Sequence, residues 1–390
     1  MAVETKRVYG VQFWLLCLSS FLFFSSFNMI IPELPDYLSS LGGEEYKGLI
    51  IALFTLTAGL SRPFSGKLAD EIGRVPVMVV GGVVCVAAGL MYPLVGTVAA
   101  FLLLRFVHGF STGFTPTGTS AYIADLVPVE RRGEAMGLLG LSGSLGMAAG
   151  PALGGLIASE YGANPMFFAS SAAAVLSVAV IWRMQETVTA PRRFRWRMLK
   201  ISRKEVLEPR VLSPSLVMLL TSFGFGTVLT IIPDFSAYLG IQNKGLFFTS
   251  FTLSSLAIRF MAGRASDTYG RVVVLRVSAA LLTLAMVVIG SVSTDTGLLL
   301  AGVLFGVATG MNSPTIYAWT IDLSHPEHRG RAMATMYIAL EAGIGLGALG
   351  SGWLYGNQSS NFTLVFWAAG AFSLLAFLYL LLFVKRVKEV

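Results

Sequence analysis

Charge is what this chain has least of: 13% of its 390 residues are charged, three are histidine and two are cysteine. Beside 55% apolar residues, that scarcity lies outside the balance of a water-soluble domain. Cys17 and Cys85 both fall inside apolar stretches, which excludes a disulfide framework and a thiolate metal site. His108 lies in a third such stretch, while His325 and His328 share a loop, so no metal or nucleophile constellation is visible and no enzyme is expected. No glycine-rich phosphate loop follows a strand, which leaves ATP-driven pumping without an engine. No metal and no cofactor are expected.

What the chain has in abundance is apolar runs. Stretches of about 20 residues, enough to cross a hydrocarbon core of about 30 Å as a helix, recur from Gln12 to Val384. The expected spans are 10–33, 47–66, 75–95, 98–121, 134–158 and 164–184, then 213–236, 244–263, 271–292, 296–320, 331–354 and 362–384. The alternation of barrel strands is absent, and backbone in lipid must satisfy its own hydrogen bonds, so these segments are helices. Lys6 and Arg7 before the first run resemble a secretory signal, but without a small-residue cleavage site the run reads as a span.

The 28 Lys and Arg residues are placed unevenly. All fall on the side of the two termini except Lys47 and Lys244 on the opposite side and Arg62, Arg105 and Arg259 within or at the edge of spans. The positive-inside rule then puts both termini in the cytoplasm. The net charge of +7 follows from this topology and calls for no nucleic acid. Its largest contributor is the central segment, with Arg192, Arg193, Arg195, Arg197, Lys200, Arg203 and Lys204. Interleaved with Phe194, Trp196, Met198 and Leu199, these residues suit either an amphipathic element on anionic headgroups or a solvated linker.

The two halves repeat at an offset of 197 residues. Arg62, Gly66, Asp70, Gly73 and Arg74 return as Arg259, Gly263, Asp267, Gly270 and Arg271. Gly109, Gly113, Asp125 and Glu130 return as Gly306, Gly310, Asp322 and Glu327. Nearer the start the offset is 201, pairing Pro32 and Glu33 with Pro233 and Asp234. Six spans per half, both starting on one side, make this a parallel repeat about an axis along the membrane normal. The expected architecture is an all-α membrane protein of about twelve helices in two pseudo-symmetric six-helix bundles. Its parts are residues 1–185, a basic cytoplasmic linker at 186–212, and residues 213–390.

Gly66-Lys67-Leu68-Ala69-Asp70-Glu71-Ile72-Gly73-Arg74 resembles the loop signature of the major facilitator superfamily, and Asp267-Thr268-Tyr269-Gly270-Arg271 resembles its degenerate echo. The resemblance covers essentially the whole chain and implies that these turns latch the halves. By motif, Arg74 would meet Asp125, and Asp70 would face the start of span eleven near Arg331, with the echo residues Gly263, Asp267, Gly270, Arg271 and Asp322 in like roles. Gly146, Gly150, Pro151, Gly154 and Gly155 resemble the antiporter motif of the family's proton-coupled drug exporters, with Gly343, Gly347 and Gly352 as an echo lacking the proline. Arg105-Phe106-Val107-His108-Gly109 is similar to the family's arginine segment implicated in proton coupling, with His108 where an amide is usual.

Ionisable groups inside spans are costly and normally face a cavity or a partner. Arg105, His108, Thr112, Thr115 and Thr119 share one stripe of span four, which is expected to line the cavity. Glu341, ten residues beyond Arg331, falls about 15 Å deep and is the leading candidate for the exchanged proton, the alternative being a permanently paired carboxylate. Glu33 and Asp234 sit at equivalent outer ends, to line or seal a vestibule, or merely solvated; Arg62 and Arg259 read as snorkelling. Asn28, Tyr122, Asn312, Tyr317, Trp319 and Tyr337 lie on helices that line the cavity in the family. Together these imply proton-coupled efflux of a small organic or amphipathic solute by alternating access, with uptake symport or lipid flipping as alternatives. The expected partners are solute, protons and bilayer, for a monomer in a bacterial inner membrane powered by a proton gradient.

Overall fold

The computed structural model describes residues 9–128, 131–200, 207–324 and 329–384; Lys6, Arg7, Glu130, Arg203, Lys204, His325, Glu327 and His328 lie outside these. The described residues are helical, with no strand among them. The first half holds α1 (Val11–Ile30), α2 (Leu34–Ser40), α3 (Lys47–Glu71), α4 (Arg74–Met91), α5 (Val98–His108), α6 (Phe110–Leu126), α7 (Arg132–Tyr161) and α8 (Ala163–Trp182). The second holds α9 (Leu212–Tyr238), α10 (Gly245–Tyr269), α11 (Arg271–Ser291), α12 (Asp295–Leu323), α13 (Arg329–Tyr355) and α14 (Phe362–Leu382).

Among the described residues, eleven helices or end-to-end helix pairs are long and apolar enough to cross a membrane, and α10, bent by 46° between its Gly245–Arg259 and Met261–Tyr269 parts, makes twelve. The first span runs to Ser40 rather than residue 33, because Pro32 and Pro35 each stand in the opening turn of a new helical segment, where a missing N–H costs nothing. The fourth divides into α5 and α6 at Gly109, whose Cβ would stand 2.2 Å from the Phe54 carbonyl oxygen. Only glycine lets α3 approach that closely.

The helix packing repeats with the sequence. α1 packs on α7 and α8 as α9 packs on α13 and α14; α4 packs on α6 and α8 as α11 packs on α12 and α14. The main contacts between the halves are α3 with α13 and α7 with α10, and each is the other's counterpart in the repeat. Separate aromatic cores fill the halves, Phe23, Tyr92, Phe101 and Phe167 in one and Phe247, Phe305 and Phe366 in the other. The outer faces carry exposed Trp14, Leu103, Leu300, Trp353 and Leu381, a surface that water would not tolerate and lipid tails match.

The α3–α4 and α10–α11 turns lie at one end of the bundles, called here the turn side; the α9–α10 connection around Lys244 lies at the other, the far side.

Candidate functional site

Both turns have the same construction. Gly73 and Gly270 take φ of +121° and +87°, a region that side-chain-bearing residues rarely adopt. Gly66, Gly263 and Gly270 have open space where a Cβ would be, whereas one at Gly73 would meet the Glu186 carboxylate, so Gly270 is required by its backbone conformation and Gly73 by close packing as well. Arg74 donates from Nε to Asp125 at 3.1 Å and also pairs with Asp70; Arg271 does the same with Asp322, at 2.9 Å, and Asp267. Asp70, expected to face the start of span eleven, pairs within its own turn with Arg74 four residues on, and its side chain is 73% exposed. Arg331 pairs with Glu208, near the end of the linker. Glu186 accepts from the Arg74 and Val75 backbone N–H groups at 3.0 Å each, capping α4. No sequence signal marked Glu186 or Glu208.

The far side is closed by a seam that obeys the repeat residue for residue. A Cβ at Gly245 would stand 1.9 Å from the Pro151 carbonyl oxygen, and one at Gly48 would stand 2.6 Å from that of Ala348. Gly155 faces the Asn243 side chain and Gly352 faces the Gly48 backbone. Gly48 and Gly245, Pro151 and Ala348, and Gly155 and Gly352 are all pairs at the offset of 197. The remaining motif glycines pack inside each bundle instead. Gly146, Gly150 and Gly154 let α7 press on the α1 backbone, as Gly343 and Gly347 let α13 press on α9. Thr249 donates to the Ala148 carbonyl oxygen at 2.9 Å and Asn243 to that of Ala152 at 3.1 Å, adding hydrogen bonds across the α7–α10 seam.

Two reciprocal salt bridges lie over this seam. Lys47 of the first half reaches Asp234 of the second at 2.5 Å, and Lys244 of the second reaches Glu33 of the first at 3.5 Å and pairs with Asp36. Glu33 and Asp234 thus meet partners rather than bulk water. The lysines are the pair that the charge count had set apart, and their spacing of 197 was the signal that could have joined them to the acids. Burial alone would pull the Lys244 ammonium down, but Glu33 and Asp36 outweigh it and hold its pKa above the ordinary lysine value. A raised folded value means this contribution is complete below about pH 10 and is lost as the pH rises through the raised pKa.

Gly245→Val tests the seam. Overpacking of about 1–3 kcal/mol against the Pro151 carbonyl should shift the protein away from far-side closure. Labelling of a cysteine placed at residue 152, read with a membrane-impermeant maleimide, is expected to rise about fivefold or more, since 1.4 kcal/mol is about a factor of ten. Unchanged labelling would show that the seam does not set closure.

At mid-depth one ion pair crosses between the halves. Arg62 on α3 donates from Nη2 to Glu341 Oε1 on α13 at 2.6 Å, so Arg62 does not snorkel. Its guanidinium sits 4.6 Å from the centre of the Tyr337 ring, which lies 5.8 Å from that of Tyr317 on α12. Arg62 and Glu341 keep 15% and 11% side-chain exposure, so the pair is largely but not fully buried between the bundles. Arg259, the repeat counterpart of Arg62, lies within electrostatic reach of the same Tyr317.

Other expected cavity residues lie elsewhere. The span-four stripe turns into the first half: Arg105 donates from Nε to the Ile50 carbonyl oxygen at 3.0 Å and from Nη1 to the Tyr92 hydroxyl at 3.1 Å, its guanidinium 4.5 Å from the Phe54 ring centre. His108 Nδ1 meets the same hydroxyl at 3.2 Å, and Thr115 donates to the Met78 carbonyl oxygen on α4. Asn312 is buried within the second half, bonded to Thr221 and Ser278, and Tyr122 donates to the Gln185 carbonyl oxygen near the linker. Asn28 donates to the Phe24 carbonyl oxygen one turn back. Each of these side chains makes its hydrogen bonds within its own bundle, although Arg105 Nη2 and His108 Nε2 are buried without a partner.

A sequence model of the Major Facilitator Superfamily matches residues 16–243 and 214–390. The chain belongs to that superfamily. It is 24% identical over 332 residues to "Multidrug resistance protein 1" of Bacillus subtilis, covering 82% of this chain and 83% of that protein. It is 27% identical over 341 residues to "Multidrug resistance protein MdtG" of Salmonella typhi, covering 82% and 81%. The crystal structure of a D-xylose-proton symporter superposes with a TM-score of 0.80 at 17% identity, covering 96% of this chain and 98% of that one, a likeness of fold. The fold expected from the repeat, two pseudo-symmetric six-helix bundles in a multi-pass membrane protein, is the fold of this superfamily member.

Proposed function

We propose that this chain is a proton-coupled exporter of a small amphipathic solute, working as a monomer by alternating access in a bacterial cytoplasmic membrane, with its turn side and both termini in the cytoplasm. The relatives named for multidrug resistance support export, and their bacterial sources support the location. The charge asymmetry of the loops supports the orientation. Residues 1–185 and 213–390 are the rocking units, joined by residues 186–212, and the proton gradient is the energy source.

The observation that carries the reading is the Arg62–Glu341 pair, which ties the two units together below a closed far side. Glu341 faces Arg62 from α3, Tyr317 from α12 and Tyr337 of its own helix. Protonation of Glu341 removes the charge that holds Arg62, so a proton entering from outside alters the contact between α3 and α13. Coupling needs such a group: one whose ionisation and whose inter-unit contact change together. The seam of glycines and the two lysine bridges form the outer gate, and the Gly73 and Gly270 turns form the inner hinges.

The test uses purified protein in liposomes with an acidic lumen and a trapped pH dye, offered a panel of aromatic acids, amines and neutral compounds. Entry of a transported solute is expected to raise the lumenal pH, because a proton leaves as the solute enters. A lumenal pH that falls with solute entry would establish symport and overturn the proposal. Movement of a labelled phospholipid with no response to any solute would overturn it in favour of lipid flipping.

A further inference from the structure

The repeat that gives each half its turn and its gate lysine breaks at mid-depth. Arg62 and Arg259 are counterparts, but the counterpart of Glu341 is Ser144. Glu341 on α13 holds Arg62 on α3 across one seam; at the matching place on α7, opposite α10, a buried serine stands where the carboxylate would be. Among the described residues Arg259 has no ion pair and no hydrogen bond, and its Nε is buried without a partner. Both guanidinium groups lie within electrostatic reach of the Tyr317 hydroxyl, and Tyr337 lies between Tyr317 and Arg62. Arg62, Glu341 and the two tyrosine rings therefore form one cluster between the bundles, and Arg259 stands on α10, which packs along the α12 helix that carries Tyr317. An uncompensated guanidinium at membrane depth is costly, and such groups normally find an anion.

We propose that the transported solute supplies it: the pocket takes an aromatic organic acid, a carboxylate or a sulfonate, whose acid group pairs with Arg259 while its ring packs against Tyr317 and Tyr337. This rests on reading the mid-depth cluster as the transport site and names the chemical class of the cargo. A guanidinium offers two parallel N–H donors matched to a carboxylate or sulfonate, and tyrosine rings suit a flat apolar body. A cationic cargo finds no free acid here, because Glu341 already holds Arg62. The sign of the charge also agrees with export, since a membrane potential negative inside drives an anion outward.

The full-length protein in nanodiscs would be titrated by calorimetry with naphthalene-2-sulfonate, with the matched naphthyl-trimethylammonium, and with sodium sulfate. The sulfonate is expected to bind and the ammonium not to. Arg259→Gln is expected to weaken the sulfonate at least tenfold, and Arg259→Lys to recover most of the loss. A second variant leaves Arg259 in place: Ser144→Glu installs the missing carboxylate and is expected to displace the sulfonate, again at least tenfold. Glu341→Gln frees Arg62 and is expected to tighten binding severalfold. Ammonium binding without sulfonate binding would overturn the proposal, and so would full sulfonate affinity in both Arg259→Gln and Ser144→Glu. Sulfate competing as strongly as the sulfonate would reduce the site to one for an inorganic anion and overturn the claim of an aromatic cargo. Because binding is read at equilibrium without a gradient, these outcomes are independent of the direction and proton coupling measured in liposomes.

Discussion

Glu341→Gln is expected to abolish pH-driven transport, by about a hundredfold or more, while exchange of solute for solute without a gradient continues. Glutamine keeps the shape and hydrogen bonding of the protonated acid but cannot cycle between charged and neutral forms. Arg62 then loses the one carboxylate it meets, and the cross-unit contact stops depending on the proton. Arg62→Gln attacks the same pair from the other side and leaves a carboxylate without its cation. Breaking a buried pair by removing one partner costs about 3–5 kcal/mol, whereas replacing both is often close to neutral. The single Arg62 variant should therefore lower the unfolding temperature by several degrees, and the Arg62→Gln/Glu341→Gln double variant should recover it while remaining uncoupled. The recovery of stability without the recovery of coupling is the decisive result. Gradient-driven transport at parental rates in Glu341→Gln would mean that the proton travels elsewhere, with the buried Arg105–His108 group as the remaining candidate.

The fold was legible because the signals that specify it are periodic and duplicated. Apolar length fixed the spans, and a doubled Asp-Gly-Arg turn fixed how the two bundles correspond. The motif glycines could be placed on close contacts, but their division of labour could not be read. Gly146, Gly150 and Gly154 serve the inside of one bundle, and only Gly155 with Pro151 serves the seam, a difference of a fraction of a helical turn. The site was less legible for a related reason. Polar side chains on a membrane helix look alike in sequence whether they face a cavity or a partner in their own bundle, and Asn312, Tyr122 and the span-four stripe found partners at home. Arg62 looked like a snorkelling residue because its partner is 279 positions away and no local spacing announces it. What the sequence did contain, unused, was the correspondence of Lys47 with Lys244, to set beside Glu33 with Asp234 and Arg62 with Arg259. Applying the offset to Lys47 and Glu341 as well would have set two lysines beside the matched acids at the outer ends and exposed Ser144 as the break.

Charge reversal at the outer gate is the second large effect expected. Lys47→Glu sets a carboxylate against Asp234 on a nearly buried contact, and Lys244→Glu does the same against Glu33 and Asp36. Loss of a buried attraction and its replacement by repulsion should cost on the order of 3–5 kcal/mol at each bridge. That sum applies only to the state in which the far side is closed, because the two bundles carry one partner each and separate when it opens. The cost therefore appears as a population shift rather than as unfolding: about 5.5 kcal/mol is enough to carry a two-state equilibrium from 1:99 to 99:1. The Lys47→Glu/Lys244→Glu protein is expected to label freely from the far side, to bind solute, and to turn over at less than about a tenth of the parental rate. Adding Asp234→Lys to Lys47→Glu re-forms one bridge with its polarity exchanged. If the bridges act as paired charges between moving bundles, this exchange restores both closure and turnover, although no residue of the mid-depth site has been touched. Failure of the exchanged pair to restore closure, with the protein still folded, would mean that the glycine seam alone seals the far side and that the lysines merely decorate it. The repeat weighs against that outcome on physical grounds: two lysines and two acids held at matching positions in both halves meet across the seam only when it is shut.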